Sequence, residues 1–148
     1  MKTIYDPDTV QELIERINLL SEHSASAWGK MNVAQMVHHC VMWEEMMLGR
    51  ITYERQWIGR LLGKWLLRNE VKDDRPMRKN NPTIQALKPG SAPIDFEKER
   101  RRWIQLLQEH RLPSNPEIKH PFFGKMTPAE VGFHVYKHTD HHLRQFNA

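Results

Sequence analysis

Two histidines near the end of the chain have a spacing that suits metal binding. His138 and His142 are four residues apart, so on a helix they project from one face about one turn apart. HExxH helices present two imidazoles to zinc with the same spacing. At about 100° per residue, both histidines fall inside the inward stripe defined by Val131, Val135 and Phe146. Imidazoles in an apolar stripe need polar partners, and one divalent ion would serve both.

A third histidine lies on an earlier predicted helix. His39 is on the shoulder of its inward stripe, whereas His38 points almost directly away. His39 is therefore the candidate third ligand. Three neutral imidazoles with an open fourth position are typical of catalytic zinc, and imidazole also suits nickel, iron and copper. We expect a divalent ion, zinc or nickel first, with iron or manganese as further options. The stripe consists of Val33, Met36, Cys40, Trp43 and Met47.

Polar residues beside these histidines are candidates for catalytic roles. Glu44 is close enough to the inward stripe to be a partner of a ligand, a fourth ligand or a general base. Gln145, at the edge of the last stripe, is the second candidate, to orient or deprotonate a bound water or thiol. We interpret Glu45 as a solvated side chain and Cys40 as a small buried hydrophobic residue.

The two helices that carry the histidines have clear predicted starts. Asn32 can cap the earlier helix, and Gln35 completes a capping box three residues later. The last helix repeats this pattern with Thr127 and Glu130, and its periodicity extends to about Phe146. Both ligand-bearing segments are therefore predicted to be long helices.

Two further long helices complete the predicted core. The first starts with Asp6 as its N-cap and Pro7 at its first position. Another covers about residues 95–110 and is ended by a loop at 112–116. We found no alternating strand pattern. The prediction is an all-α fold, a four-helix bundle with a long crossover between its second and third helices.

The predicted crossover contains one more amphipathic segment. Residues 50–79 hold nine Lys or Arg against four Asp or Glu, and an apolar stripe within them predicts a shorter extra helix. This stripe suits a membrane-surface helix, but helix packing or a dimer contact is the commoner use. Residues 80–93 read as an irregular connection, a crossover or a lid. The stripe consists of Trp57, Ile58, Leu61, Leu62, Trp65 and Leu66.

Composition limits the remaining classes of protein. The 148 residues fit one domain, covering residues 1–148, and the formal charge of +4 is too small to imply nucleic acid by itself. Trp57 and Trp65 among basic residues are the only independent hint of such binding, which we do not expect. The single cysteine and the start MKTIYDPDTV, which lacks a secretory pattern, predict a cytoplasmic protein. No run is apolar enough to span a membrane.

A family resemblance rests on three parts of the sequence. These are Trp28, the MVHHC run that ends in His39 and Cys40, and the closing stretch HPFFGKMTPAEVGFHVYKHTDHHLRQF. Together with RNEVKDDRPMRKNNPT between the helix pairs, they resemble the DinB/YfiT-like superfamily of metalloenzymes, most closely a branch known mainly as a domain of unknown function. The resemblance implies a four-helix bundle whose divalent ion is held by one histidine of the second helix and two of the last. These positions are His39, His138 and His142.

The resemblance also implies a class of chemistry. Characterised relatives include thiol transferases and isomerases that use a low-molecular-weight thiol such as bacillithiol or mycothiol, and others look like hydrolases. We therefore expect a metal-dependent enzyme that activates water or a small thiol for a small-molecule substrate. The alternative is a non-catalytic helical binding module in which the metal only joins two helices. A homodimer is plausible, and neither nucleic acid nor a membrane is an expected partner.

Overall fold

A computed structural model describes residues 1–110 and 118–148. The described residues are mostly helical, with one short antiparallel hairpin that pairs Lys119 with Lys125 and His120 with Gly124. The loop predicted at 112–116 lies outside the described residues. The elements are α1 (Pro7–Asn18), α2 (Val33–Met47), α3 (Trp57–Glu70), a 3-10 turn (Gln85–Leu87), α4 (Phe96–Glu109), β1 (Lys119–His120), β2 (Gly124–Lys125) and α5 (Pro128–Gln145).

Four of the helices begin where the capping residues predict. The Asp6 carboxylate accepts a hydrogen bond from the backbone N–H of Thr9, and Asp95 caps α4 in the same way. Asn32 and Thr127 each form a complete capping box at the starts of α2 and α5. These caps satisfy N–H groups that the first helical turn leaves without partners. The predicted starts of α1, α2, α4 and α5 are confirmed.

The same four helices surround the main hydrophobic core. α2 contacts α4 and α5, and α1 also contacts α4 and α5. Trp103 and Leu106 of α4 are fully buried, as are Met36 of α2 and Leu13 of α1. Burial of such side chains is the main stabilising contribution to a helical domain. None of the described helices is both long and apolar enough to cross a membrane.

The extra helix differs from its prediction in length and orientation. α3 has 14 residues, as many as α4, so it is not a short element. Most of its apolar stripe is exposed: Leu61 is 76% accessible and Trp57 71%. The opposite face packs inward through Gly59, Gly63 and Leu67. Hydrophobic periodicity could not reveal this, because the inward face is formed largely by glycines.

The two glycines of α3 allow its backbone to approach the hairpin closely. A Cβ atom on Gly63 would lie 2.2 Å from the carbonyl oxygen of Phe122, and one on Gly59 would lie 2.3 Å from the same atom. A backbone carbonyl cannot rotate away as a flexible side chain can. The side-chain hydrogen atoms of these two glycines are therefore required for α3 to pack against the hairpin.

We expect Gly63→Ala to destabilise the protein. The added methyl group overlaps Phe122, and overpacking of this kind typically costs about 1–3 kcal/mol in the free energy of unfolding. Chemical denaturation followed by circular dichroism measures the change. Gly90→Ala is the control, because a Cβ there meets nothing within 4 Å. Equal stability of the two variants would contradict close packing of α3 on the hairpin.

The connection from α3 to α4 is irregular, as residues 80–93 predicted. Its one regular piece is the 3-10 turn at Gln85–Leu87, which contacts α2. Leu87 is buried in the core, so its backbone lies beside the histidine-bearing face of α2. The crossover therefore reaches the predicted site directly.

Candidate metal centre

The structure brings together the three histidines that the sequence analysis selected. His39 comes from α2, and His138 and His142 come from successive turns of α5. One ring nitrogen from each lies within 4.8 Å of the others, and all three residues are buried. Such spacing allows three imidazoles to share one ion. In the described parts of the chain this is the one such cluster, and it contains no carboxylate or thiol.

The three rings are inclined to one another and do not stack. The ring centroids of His138 and His142 are 4.6 Å apart with an interplanar angle of 73°. His39 lies 5.0 Å from His142 and 5.4 Å from His138, at angles of 68° and 50°. Inclined rings can point their edges, where the nitrogen lone pairs are, toward a common centre. The arrangement therefore suits coordination better than aromatic packing.

Hydrogen bonds orient two of the three rings. Nδ1 of His39 donates to the backbone carbonyl of Leu87 at 2.8 Å, and Nδ1 of His142 donates to Oε1 of Gln145 at 2.8 Å. A carbonyl oxygen can only accept, so Nδ1 carries the proton in each neutral ring. The lone pair is then on Nε2. Outer partners of this kind fix the tautomer of metal-binding histidines.

His138 provides the observation that tests whether a metal fits. Its ring stacks on Trp43 with centroids 3.9 Å apart and planes 10° apart. Its Nδ1 atom is buried and has no hydrogen-bond partner among the described residues. A buried polar atom without a partner is costly, and such exceptions usually have a functional reason. An ion held by the cluster would explain the polar ring in this apolar position.

Burial keeps the three imidazoles neutral. Desolvation lowers the pKa of His39, although its hydrogen bond to Leu87 acts in the opposite direction. Desolvation, reinforced by the neighbouring histidines, lowers the pKa of both His138 and His142 well below the ordinary value. Neutral imidazole is the form that binds metal ions. The electrostatics therefore favour a coordinating cluster at neutral pH.

Gln145 connects the cluster to the segment between α1 and α2. Its amide nitrogen donates to the carbonyl of Trp28 at 2.9 Å while its oxygen accepts from His142. Gly29 lies so close that a Cβ would be 2.5 Å from this nitrogen, and its φ of +85° also favours glycine. The amide is thus held from both sides. Its contacts place Gln145 behind His142, where it orients the ring.

Glu44 lies in the core on the same helix as His39. It is fully buried, and its Oε2 is 2.7 Å from Nε2 of His110. Its Oε1 accepts a hydrogen bond from the hydroxyl of Thr139 at 3.4 Å. Both carboxylate oxygens therefore have partners away from the histidine cluster. A role for Glu44 at the ion stays a prediction.

The neighbours that the sequence analysis set aside have separate partners. Nδ1 of His38 lies 2.8 Å from a carboxylate oxygen of Glu99, outside the cluster. Glu45 is part-buried and pairs with Arg50 and Arg102, so it is not simply solvated. Cys40 is buried as expected, and desolvation raises the pKa of its thiol well above the ordinary value. A thiol in that state is a poor nucleophile and ligand.

A cavity of about 550 Å³ opens beside the cluster. His39, His138 and His142 line one part of it, and its walls are mainly aromatic and aliphatic. Concave apolar sites with a few polar groups are typical of small-molecule binding. Lining residues from the crossover include Met77, Pro82, Ile84 and Leu87, and those from α3 and the hairpin include Trp57, Ile58, Leu66, Phe122 and Phe123.

Three polar residues of this cavity were not among the predicted site residues. Nδ1 of His134 is 2.6 Å from the carboxylate of Glu70, and His120 lies beside them with its ring 5.7 Å from that of His134. Burial by itself raises the pKa of Glu70, but His134 and Lys137 lower it overall. His134 lies on the flank of the α5 stripe, and Glu70 is on the far side of the crossover. No sequence periodicity connects these positions.

Comparison with known families gives one match. A family model described as the DinB superfamily matches residues 6–146. This range includes every residue of the histidine cluster and all five helices except none of their ends. No match was found among curated proteins or among solved structures.

Proposed function

The chain belongs to the DinB superfamily, and we propose that it is a divalent-metal-dependent enzyme whose ion is held by His39, His138 and His142. The observation that carries this proposal is the convergence of three buried imidazoles beside an open cavity. A structural role alone does not account for three polar rings placed in contact with one another in a core.

The donor set supports particular metals. Three neutral nitrogen ligands suit zinc and nickel best, with iron and manganese as further options. Thiolate coordination is not part of the proposal, because the buried Cys40 lies outside the cluster. Carboxylate coordination by Glu44 is not required either, since both of its oxygens have partners in the core.

Three protein ligands leave a coordination position for water or substrate. A divalent ion lowers the pKa of a coordinated water or thiol and so supplies a nucleophile near neutral pH. We propose hydrolysis or transfer of a small thiol as the reaction class. The substrate is a small molecule that enters the cavity beside the cluster.

The protein's own residues would orient the ligands and exclude water. The Leu87 carbonyl and the Gln145 amide hold the tautomers of His39 and His142. Trp43 covers one face of His138. The apolar walls of the cavity limit access of solvent to the reacting atoms, which strengthens electrostatic interactions there.

The proposal includes a four-helix bundle made by α1, α2, α4 and α5. Their pairwise contacts support this arrangement, with the crossover and α3 placed between the second and third members. Bundle cores commonly hold metal ions between facing helices. The histidines on α2 and α5 occupy such a position.

Cobalt substitution tests the proposed chemistry. The protein is loaded with Co²⁺, and its visible spectrum is recorded before and after addition of 2-mercaptoethanol. We expect a new thiolate-to-cobalt charge-transfer band, because the open position accepts an exogenous ligand. A pH-dependent spectrum without thiol binding would favour a bound water and the hydrolase branch.

A spectrum that responds to neither thiol nor pH would contradict the enzyme proposal. It would indicate a closed site and favour the alternative, a helical binding module in which the ion only joins α2 and α5. The absence of a carboxylate from the described cluster favours the open site. Loading at one ion per chain is the control that makes either spectrum interpretable.

A further inference from the structure

One helix exposes a large apolar surface that the proposed function does not use. We call it the α3 apolar face; Leu61 is 76% accessible, Trp57 71% and Trp65 62%. Contiguous patches of large apolar side chains on a protein surface commonly mark an interaction site. The face consists of Trp57, Ile58, Leu61, Leu62 and Trp65.

Basic residues follow one edge of this face. Arg60, Lys64 and Arg68 are exposed and recur every four residues, so they form a line along the helix. Neither Arg60 nor Arg68 forms an ion pair with a described residue, and Lys64 lies 3.5 Å from Glu130. The only acidic residue of α3 is Glu70, which pairs with His134 on the inward side. The exposed side of α3 is therefore apolar and positively charged.

The α3 apolar face continues into the cavity. Trp57 and Ile58 belong to the face and also line the cavity that holds the histidine cluster. A partner bound to the face would lie next to this part of the cavity wall. The sequence analysis expected such a stripe to pack against the rest of the protein, but the described chain leaves it uncovered.

We propose that α3 docks on an anionic lipid surface. A helix with Trp and Leu on one side and Lys or Arg along its edge binds in the plane of a membrane interface. Anionic headgroups compensate Arg60, Lys64 and Arg68. A second copy of the same face brings no acidic side chain, so it leaves these charges uncompensated. This inference goes beyond the proposed function and does not depend on the metal.

Vesicle co-sedimentation of the full-length protein tests the proposal. The probes are vesicles of phosphatidylcholine alone and of phosphatidylcholine mixed with phosphatidylglycerol, each at low and high ionic strength. We expect binding to the mixed vesicles at low salt, weakened at high salt because screening shortens the range of the attraction. Binding independent of phosphatidylglycerol would overturn the proposal.

Matched variants locate the binding surface. Leu61→Asp is expected to reduce vesicle partitioning at least about tenfold, because it removes apolar contact and adds a negative charge. Arg60→Gln and Arg68→Gln should each weaken it about fivefold. Leu19→Asp is the control: Leu19 is 73% accessible but follows α1, and the substitution should leave partitioning unchanged. Equal partitioning of all variants would overturn the proposal.

Sedimentation velocity distinguishes the competing occupant. A monomer that retains vesicle binding supports the proposal. A dimer that Leu61→Asp dissociates would show that a second copy covers the face and would overturn it. Circular dichroism of Leu61→Asp checks the fold, which should be unchanged because the side chain is mostly exposed.

Discussion

Replacing His39 with alanine is expected to abolish stoichiometric binding of a divalent ion. The substitution removes the only ligand that α2 contributes to the cluster and leaves two imidazoles on α5. Loss of an outer partner of a ligand alone typically weakens binding about 10–100-fold, so loss of a ligand should exceed about a hundredfold. Elemental analysis of protein purified without a histidine tag, after loading with zinc, measures the occupancy.

The adjacent histidine is a closely matched control. His38 belongs to the same turn of α2, but its ring pairs with Glu99 and is 34% accessible. His38→Ala should therefore retain one ion per chain. His138→Ala and His142→Ala should lose it while keeping a helical circular dichroism spectrum. Equal occupancy in His38→Ala and His39→Ala would contradict the assigned site.

Removal of the Glu44 carboxylate is expected to produce the largest loss of stability. Glu44→Ala leaves His110 without its hydrogen-bond partner, withdraws the acceptor of Thr139 and opens a cavity where no atom is exposed. Breaking a buried pair from one side commonly costs about 3–5 kcal/mol. Urea unfolding should show a loss of about 3 kcal/mol or more in the free energy of unfolding.

An isosteric substitution separates this structural role from one at the ion. Glu44→Gln keeps the shape and an oxygen that can accept from His110, so we expect a loss of only about 1 kcal/mol. The variant should also bind the ion normally, because the carboxylate is not a member of the cluster. If Glu44→Gln folds stably but fails to bind zinc, Glu44 is a ligand and the three-histidine assignment is incomplete.

The helices and the cluster were predictable because their signals are local. Caps such as Asn32 and Thr127 act within one helical turn, and periodicity places each residue on a face without reference to the rest of the chain. His138 and His142 are related by a single helix. His39 was distinguished from His38 by helical phase, and their different partners in the structure agree with that distinction.

Features that depend on contacts between distant segments were not predictable. Glu44 meets His110 across 66 positions of the sequence, and Glu70 meets His134 across the crossover. The hairpin has two residues in each strand, too few for an alternating pattern. The outward orientation of the α3 apolar face is set by Gly59 and Gly63 against Phe122, and the hydrophobic stripe alone predicts the opposite.

The hydrogen bond from His39 to Leu87 couples the crossover to the ion thermodynamically. The crossover lines the cavity with Ile84 and Leu87, and the same Leu87 carbonyl orients the ring of His39. A ligand that favours the crossover position in which this bond forms would raise the affinity of the cluster for the ion. Reciprocity requires the ion to raise the affinity for that ligand by the same factor. Substrate and metal would then bind cooperatively, although they need not touch the same atoms.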